Sequence, residues 1–160
     1  MLSGRNILRW GATGVAPLCC LLWLFWPKTG VLLGSGAWRC AVADETFTLH
    51  WRHSVEKQDW QEVYRVQDGR LHLLYVYVQT FGAGVPASGQ PVEAPPGYVG
   101  MTSDVVLREL HWVVSRRMRG DVVFAAARLP VHTLLPDDSV VHIVPVSYAR
   151  WQWFLEKDCL

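Results

Sequence analysis

The stretch HWRHSVEKQDWQEVY, residues 50–64, decides the fold, because two runs of alternating apolar and polar residues meet in it. The first run starts upstream at Phe47, and the second continues to Val66. Alternation with a period of two predicts two neighbouring β-strands that each bury one face. Two polar residues, His53 and Glu62, fall on the predicted buried faces. They are therefore the first candidates for either a site or a structural contact.

The length of the connecting loop determines which residues of the two strands pair. A loop over 56–59 aligns both apolar faces and pairs Val55 with Trp60. The same register places His53 directly opposite Glu62. We therefore predict that the two polar residues contact each other in the sheet.

A second hairpin follows, because Asp68-Gly69 is a sequence typical of a two-residue turn. This turn leads into a strand in which Tyr75 comes opposite Glu62 from the other side. The sequence thus predicts a three-stranded meander with His53, Glu62 and Tyr75 together at its centre.

Such a cluster has two interpretations. A carboxylate and an imidazole in a low-dielectric core can act as a general acid/base couple or hold a polar ligand. Alternatively, Glu62 only satisfies a buried His53 and fixes the strand register. We favour the structural interpretation, because no nucleophile or set of metal ligands accompanies the pair.

The N-terminal part of the chain is predicted to be a membrane anchor over 10–33, since Lys28 is its only charge. A span needs roughly 20 apolar residues, with about 17 as the lower limit. Arg5 and Arg9 precede the segment, so the positive-inside rule places residues 1–9 in the cytoplasm. Residues 34–160 then form one exported domain. The alternative is a cleaved signal peptide that ends at Ala41-Val42-Ala43.

The exported part is predicted to be all-β, a small antiparallel β-sandwich or barrel-like domain behind one N-terminal transmembrane helix. Further strands are expected over 105–115, 122–129 and 140–146. Residues 148–155 alternate again, which predicts a closing strand, or alternatively a tail that rests on the membrane interface. Cys40 and Cys159 either form a disulfide between the two ends of this domain or remain free thiols.

Composition and motifs restrict the classes of function that the sequence supports. The formal net charge of +1 over 160 residues gives no basic surplus for a nucleic-acid partner. The sequence lacks G-x-S-x-G, HExxH and paired CxxC motifs, so we expect no enzyme activity, no cofactor and no metal site. The glycine-rich segment Gly82-Ala83-Gly84 either lets a ligand or partner approach the backbone or belongs to a long crossover.

Residues 53–64 and the GAGVP segment at 82–86 carry a resemblance to a known family. The chain resembles the domain of unknown function 1850 family, small exported bacterial proteins commonly encoded beside the permease of TAXI-type TRAP transporters. The family pattern falls on the following residues: His53, Ser54, Val55, Glu56, Trp60, Glu62, Tyr64, Gly82, Ala83, Gly84 and Pro86. The resemblance supplies no catalytic residues.

The resemblance implies a transport context in the bacterial inner membrane, with the domain in the periplasm. We therefore expect an accessory subunit whose partners are the TRAP permease and its solute-binding protein. These family positions and Tyr75 are the candidates for ligand or partner binding, except that Val55 is assigned no role. The alternative is a free-standing periplasmic module that binds a small ligand in its β-core.

Overall fold

The alternation in the sequence produces strands throughout the part of the chain that the structure describes. The structure, a computed structural model, describes residues 19–82 and 89–159. The strands are β1 (Pro27–Ser35), β2 (Trp38–Val42), β3 (Thr46–Arg52), β4 (Asp59–Gln67), β5 (Arg70–Val78), β6 (Pro91–Val92), β7 (Val99–Thr102), β8 (Val106–Leu107), β9 (Leu110–Val114), β10 (Asp121–Val123), β11 (Arg128–Leu129) and β12 (Ser139–Ala149). Two short helices, α1 (Val131–Leu134) and α2 (Arg150–Trp153), complete the described elements, and residues 19–25 are also helical.

The strands form two antiparallel sheets that pack as a β-sandwich. The smaller sheet has the order β2-β1-β12-β9, and the larger has the order β11-β10-β3-β4-β5-β7-β6, with β8 also pairing with β5. Inward side chains of both sheets join in one hydrophobic cluster. Val31 and Ile143 from the smaller sheet and Phe47 and Val76 from the larger are at most 1% exposed. The predicted all-β class is confirmed.

The end of the predicted anchor belongs to the sandwich. Residues 27–33 lie in β1, and Val31 and Leu33 are completely buried. Their apolar character therefore reflects the interior of the sandwich, so the anchor boundary at residue 33 is corrected. Among the residues that the structure describes, no helix has the length and apolar character needed to cross a bilayer. Residues 10–18 lie outside this set, and a span over 10–26 stays a prediction.

The hairpin between β3 and β4 has a different register from the predicted one. Trp60 pairs with Trp51 rather than with Val55, and Glu62 pairs with Leu49 rather than with His53. The predicted His53–Glu62 contact is therefore wrong. The register differs by four residues along β3, an even number, so every side chain keeps its face. Alternation alone does not distinguish the two registers. The observed register is set by the longer loop, residues 53–58, because hydrogen bonds within that loop close it.

The Asp68-Gly69 turn is confirmed, with both residues at positive φ and Gln67 paired with Arg70. A β-bulge in β5 then shifts its pairing with β4, because Tyr64 pairs with Leu73 and Val63 pairs with Tyr75, which leaves Leu74 as the extra residue. Beyond this irregularity Glu62 pairs with Val76, so Tyr75 does not come opposite it. One extra residue in a strand reverses the faces that follow, which corrects the prediction for Tyr75.

The later strands are partly as predicted. Residues 140–146 lie within β12, whereas 122–129 forms the two short strands β10 and β11, and 105–115 forms β8 and β9. The prediction of a closing strand over 148–155 is wrong, because β12 ends at Ala149 and α2 follows. The amide of Ala149 donates to Gln152 Oε1 at 2.8 Å, which stabilises the start of this helical turn.

Candidate functional site

The tip of the β3–β4 hairpin is a turn over 53–58. The amide of His53 donates to the carbonyl of Gln58 at 2.8 Å, and the amide of Lys57 donates to the carbonyl of His53 at 3.0 Å. His53 Nδ1 accepts from the amide of Glu56 at 3.3 Å, and the Lys57 ammonium donates to the carbonyl of Ser54. The sequence HSVEKQ therefore specifies a tightly bonded loop, and His53 has a structural role within it.

The chain after β5 packs against this tip. Thr80 Oγ1 donates to Gln58 Oε1 at 2.6 Å, and the amide of Asp59 donates to Gln79 Oε1 at 3.1 Å. A Cβ added at Gly82 would lie 1.6 Å from Glu56 Oε1, so the carboxylate occupies the space that a side chain would fill. Residues 53–58 and 79–82 together form a surface that we call the hairpin edge.

The hairpin edge brings together part of the predicted site. His53, Ser54, Glu56 and Gly82 all lie in it. Ala83, Gly84 and Pro86 lie outside the described residues. Val55 and Phe81 are also at this edge, and both are highly exposed, at 77% and 65%. The Thr80–Gln58 hydrogen bond joins the two loops that carry them, so both apolar side chains are exposed on the same edge of the molecule.

Aromatic rings connect the hairpin edge to the core. The His53 ring stacks on Trp60 at a centroid distance of 5.1 Å, and Trp60 lies 5.2 Å from Trp51. Trp60 is buried, and among the described residues its Nε1 has no hydrogen-bond acceptor. This stack fixes the base of the tip through apolar contact.

Glu62 faces the interior, between Leu49 and Val76, the residues with which it pairs. Tyr64 OH donates to Glu62 Oε2 at 2.9 Å. Burial raises the pKa of Glu62 and outweighs the Tyr64 hydrogen bond, which lowers it. Burial, with the adjacent Glu62, also raises the pKa of Tyr64, so the phenol stays protonated and keeps donating.

Glu62→Gln is expected to remove a pH dependence of stability. Because the folded pKa is raised, the folded state holds the proton more tightly, and stability falls as pH rises from about 4.5 through the folded pKa. An amide keeps the acceptor for Tyr64 but carries no charge. The variant should therefore lose this slope and be at least as stable as the parent chain at pH 7.

Urea unfolding of both proteins between about pH 4 and pH 8 measures this effect, since the midpoint follows stability when the slope is constant. Glu93→Gln, at an exposed position, is the matched control and should keep the parent profile. A decline with pH in Glu62→Gln equal to that of the parent would contradict the assignment.

Tyr75 lies on the outer face of the larger sheet, away from Glu62. Its ring lies 6.1 Å from that of Tyr77, two residues later on the same strand. Tyr77 covers Gly100, where an added Cβ would come within 2.8 Å of the Tyr77 ring. These tyrosines therefore line the outside of the sheet and do not surround a cavity in the core.

The outer face of the larger sheet holds a pocket that the sequence analysis missed. A shallow cavity of about 380 Å³ is lined by Thr48, His50, Gln61, Val123 and Arg128. Arg128 Nη2 lies 2.6 Å from His50 Nδ1, and Arg128 Nε lies 2.8 Å from Oδ2 of the buried Asp121. Burial, together with the Arg128 charge, lowers the pKa of His50, so the neutral ring accepts from the guanidinium. The polar residues at outward positions of β3 and β4 already indicated a polar face. Arg128 could not be assigned to that face from the sequence, because its place beside His50 depends on the order of the strands in the larger sheet.

A second surface lies where the first helical residues meet α2. Most of its side chains are large, apolar and exposed: Leu21, Leu22, Trp23, Phe25, Trp26, Trp151, Phe154 and Leu155. The rings of Phe25 and Trp151 are 6.4 Å apart, and Arg150 Cζ lies 4.8 Å from the centroid of Trp23. We call this surface, residues 21–26 and 150–155, the apolar end.

Trp153 holds the apolar end against the smaller sheet. Its Nε1 donates to the carbonyl of Lys28 at 3.2 Å, and its ring occupies the space beside Gly30, where an added Cβ would lie 2.6 Å from the ring. The tail then runs beside β2, where Cys159 forms a disulfide with Cys40. The apolar side chains are thus presented by a fixed turn.

Fold and surfaces define a disulfide-linked antiparallel β-sandwich with an exposed hairpin edge and an apolar end. The chain belongs to the family described as Domain of unknown function (DUF1850), whose model matches residues 47–131. This range covers more than half of the chain and contains the hairpin edge. Neither the curated proteins nor the solved structures gave a match.

Proposed function

We propose that the protein is a membrane-held periplasmic accessory subunit of a TAXI-type TRAP transporter for organic-acid-like solutes. Residues 10–26 anchor it in the inner membrane, and the sandwich lies on the periplasmic side. The hairpin edge contacts the permease or its solute-binding protein. No catalytic step is part of this function.

The observation that carries the proposal is the apolar end. Tryptophan is enriched at membrane–water interfaces, where its ring meets both acyl chains and polar headgroups. Trp23 and Trp26 lie at the end of the uncharged run that begins at Trp10, and the ring of Trp151 contacts Phe25 between them. A bilayer that receives residues 10–26 would therefore also cover the exposed side chains of 151–155.

The disulfide supports export. Disulfides persist in oxidising compartments such as the bacterial periplasm and are rare in the cytosol. Cys40 and Cys159 form a disulfide, and both follow the proposed anchor over 10–26 in the sequence. An anchored chain with its N-terminus in the cytoplasm would place both in the periplasm.

The proposal of a transporter partner rests on the family resemblance. The hairpin edge is the surface that we propose contacts this partner. Val55 and Phe81 project from two loops that hydrogen bonds hold together, so the surface is preorganised. Preorganised apolar anchors lose little entropy on binding and often contribute most of the affinity of an interface.

Affinity purification in mild detergent tests this proposal. The tagged chain should retain the permease from native membranes, whereas Val55→Asp with Phe81→Asp should retain at least about tenfold less, since loss of interface anchors costs about 2 kcal/mol or more. Val105→Asp, at an exposed apolar residue elsewhere, is the control and should behave like the parent. Failure of the parent chain ever to retain a permease would overturn the proposal.

A second candidate function is a free-standing module that binds small carboxylates. The pocket beside Arg128 favours it, because a guanidinium held by Asp121 and His50 is a suitable carboxylate partner. This site replaces the core cavity expected from the sequence. A chain that retains no permease, but whose His50 ring resonances shift on addition of succinate, would favour this function.

A further inference from the structure

The outer face of the smaller sheet brings three metal-ligating side chains together. His111 of β9 pairs directly with His142 of β12. Glu109 precedes His111 by two residues, and alternate residues of an extended chain share a face. All three residues are exposed, and one ligand atom of each lies within 4.8 Å of the others.

The distances are close to those of a coordination shell. His111 Nε2 lies 3.0 Å from Glu109 Oε1, and the rings of His111 and His142 have centroids 4.4 Å apart. Zinc binds histidine nitrogen and carboxylate oxygen at about 2.0–2.2 Å, so two ligands of a tetrahedral ion lie about 3.3–3.6 Å apart. All three side chains are exposed, so rotation about their side-chain torsions can close the remaining gap.

The neighbouring positions leave the face open. On its other side His142 pairs with Gly34, which has no side chain to crowd the rings. Within the described part of the chain, no Lys or Arg is paired with the two histidines in the sheet. A set of two histidines and one carboxylate is a zinc ligand set that leaves a fourth position open.

We propose that Glu109, His111 and His142 bind one Zn²⁺ ion. Both histidines coordinate as neutral rings, Glu109 supplies an oxygen, and water or a side chain of another protein occupies the fourth position. Because β9 is the edge strand of the smaller sheet, the ion links this edge to β12. This inference does not depend on the transporter role.

Zinc titration of the full-length chain in detergent tests the site, with a purification tag that contains no histidine. We expect one ion per chain, a higher midpoint of thermal unfolding on saturation, and a Co²⁺ derivative with the visible absorption of a tetrahedral complex. Ligand removal by His111→Ala or His142→Ala should weaken binding by at least about 10- to 100-fold, the range seen even when residues that only orient ligands are lost. Glu109→Gln should weaken it less, because two histidines remain.

Two controls exclude other sources of binding. His72→Ala removes a histidine from the larger sheet and should leave the affinity unchanged. The exposed thiols of Cys19 and Cys20 are also zinc ligands, so every titration is repeated with both replaced by serine. Binding that survives the double variant His111→Ala/His142→Ala, or that disappears with the two thiols, would overturn the proposal. Absence of saturable binding by the parent chain would also do so.

Discussion

Replacing Cys40 and Cys159 with serine is expected to lower the free energy of unfolding by about 4 kcal/mol, within the 2–5 kcal/mol usual for loss of a native disulfide. The two cysteines are separated by 119 residues, and a long closed loop restricts the unfolded chain most strongly. The bond also holds the tail beside β2, where the amide of Ala41 donates to the carbonyl of Lys157 at 2.9 Å.

Urea unfolding of the oxidised chain and of the double serine variant measures this loss. The same variant should become sensitive to proteolysis within residues 150–159, because the covalent link that holds the tail beside β2 is then lost. Cys19→Ser with Cys20→Ser is the matched control, since those thiols are exposed and unpaired with each other, and it should unfold like the parent. Equal unfolding midpoints for the two serine pairs would contradict the prediction.

Phe47→Ala is expected to destabilise the sandwich by about 3–5 kcal/mol, the cost typical of removing a buried aromatic ring. Phe47 is 1% exposed, stacks on Tyr64 at 5.2 Å and approaches Phe124 at 6.2 Å. Its loss leaves a cavity between β3, β4 and the segment after β10. It also removes the stacking partner of Tyr64, whose hydroxyl donates to Glu62, so the buried carboxyl is less well stabilised.

Phe81→Ala makes the same chemical change at an exposed position of the hairpin edge. It should shift the free energy of unfolding by no more than about 0.5 kcal/mol, as surface substitutions usually do. Chemical denaturation of the two variants side by side provides the comparison. Similar losses in both would show that Phe47 does not anchor the core.

The hairpin edge was only partly predictable. Sequence analysis selected His53, Glu56 and Gly82, and the structure does bring them to one surface. The predicted contact between His53 and Glu62 is wrong, however, because His53 stacks on Trp60 and Glu62 lies deeper, beside Tyr64. A shift by an even number of residues leaves the alternation intact, so pairing depends on hydrogen bonds within the loop that a pattern does not contain.

The three remaining surfaces depend on contacts between distant strands. The Arg128 pocket, the His111–His142 pair and the apolar end each join residues that are far apart in the sequence. Local propensity carries no information on which strands become neighbours. The bulge in β5 that turns Tyr75 outward is likewise a local irregularity without a sequence signal that we identified.

The sequence by itself determined the all-β class, the strands β3 to β5, the Asp68-Gly69 turn, the inward position of Glu62 and family membership, because alternation and turn chemistry act over a few residues. Only the tertiary structure decided the registers, the end of the apolar N-terminal segment in β1 and the surfaces available for partners. These features depend on how the two sheets pack around one core. That packing is fixed only when all the strands have taken their positions together.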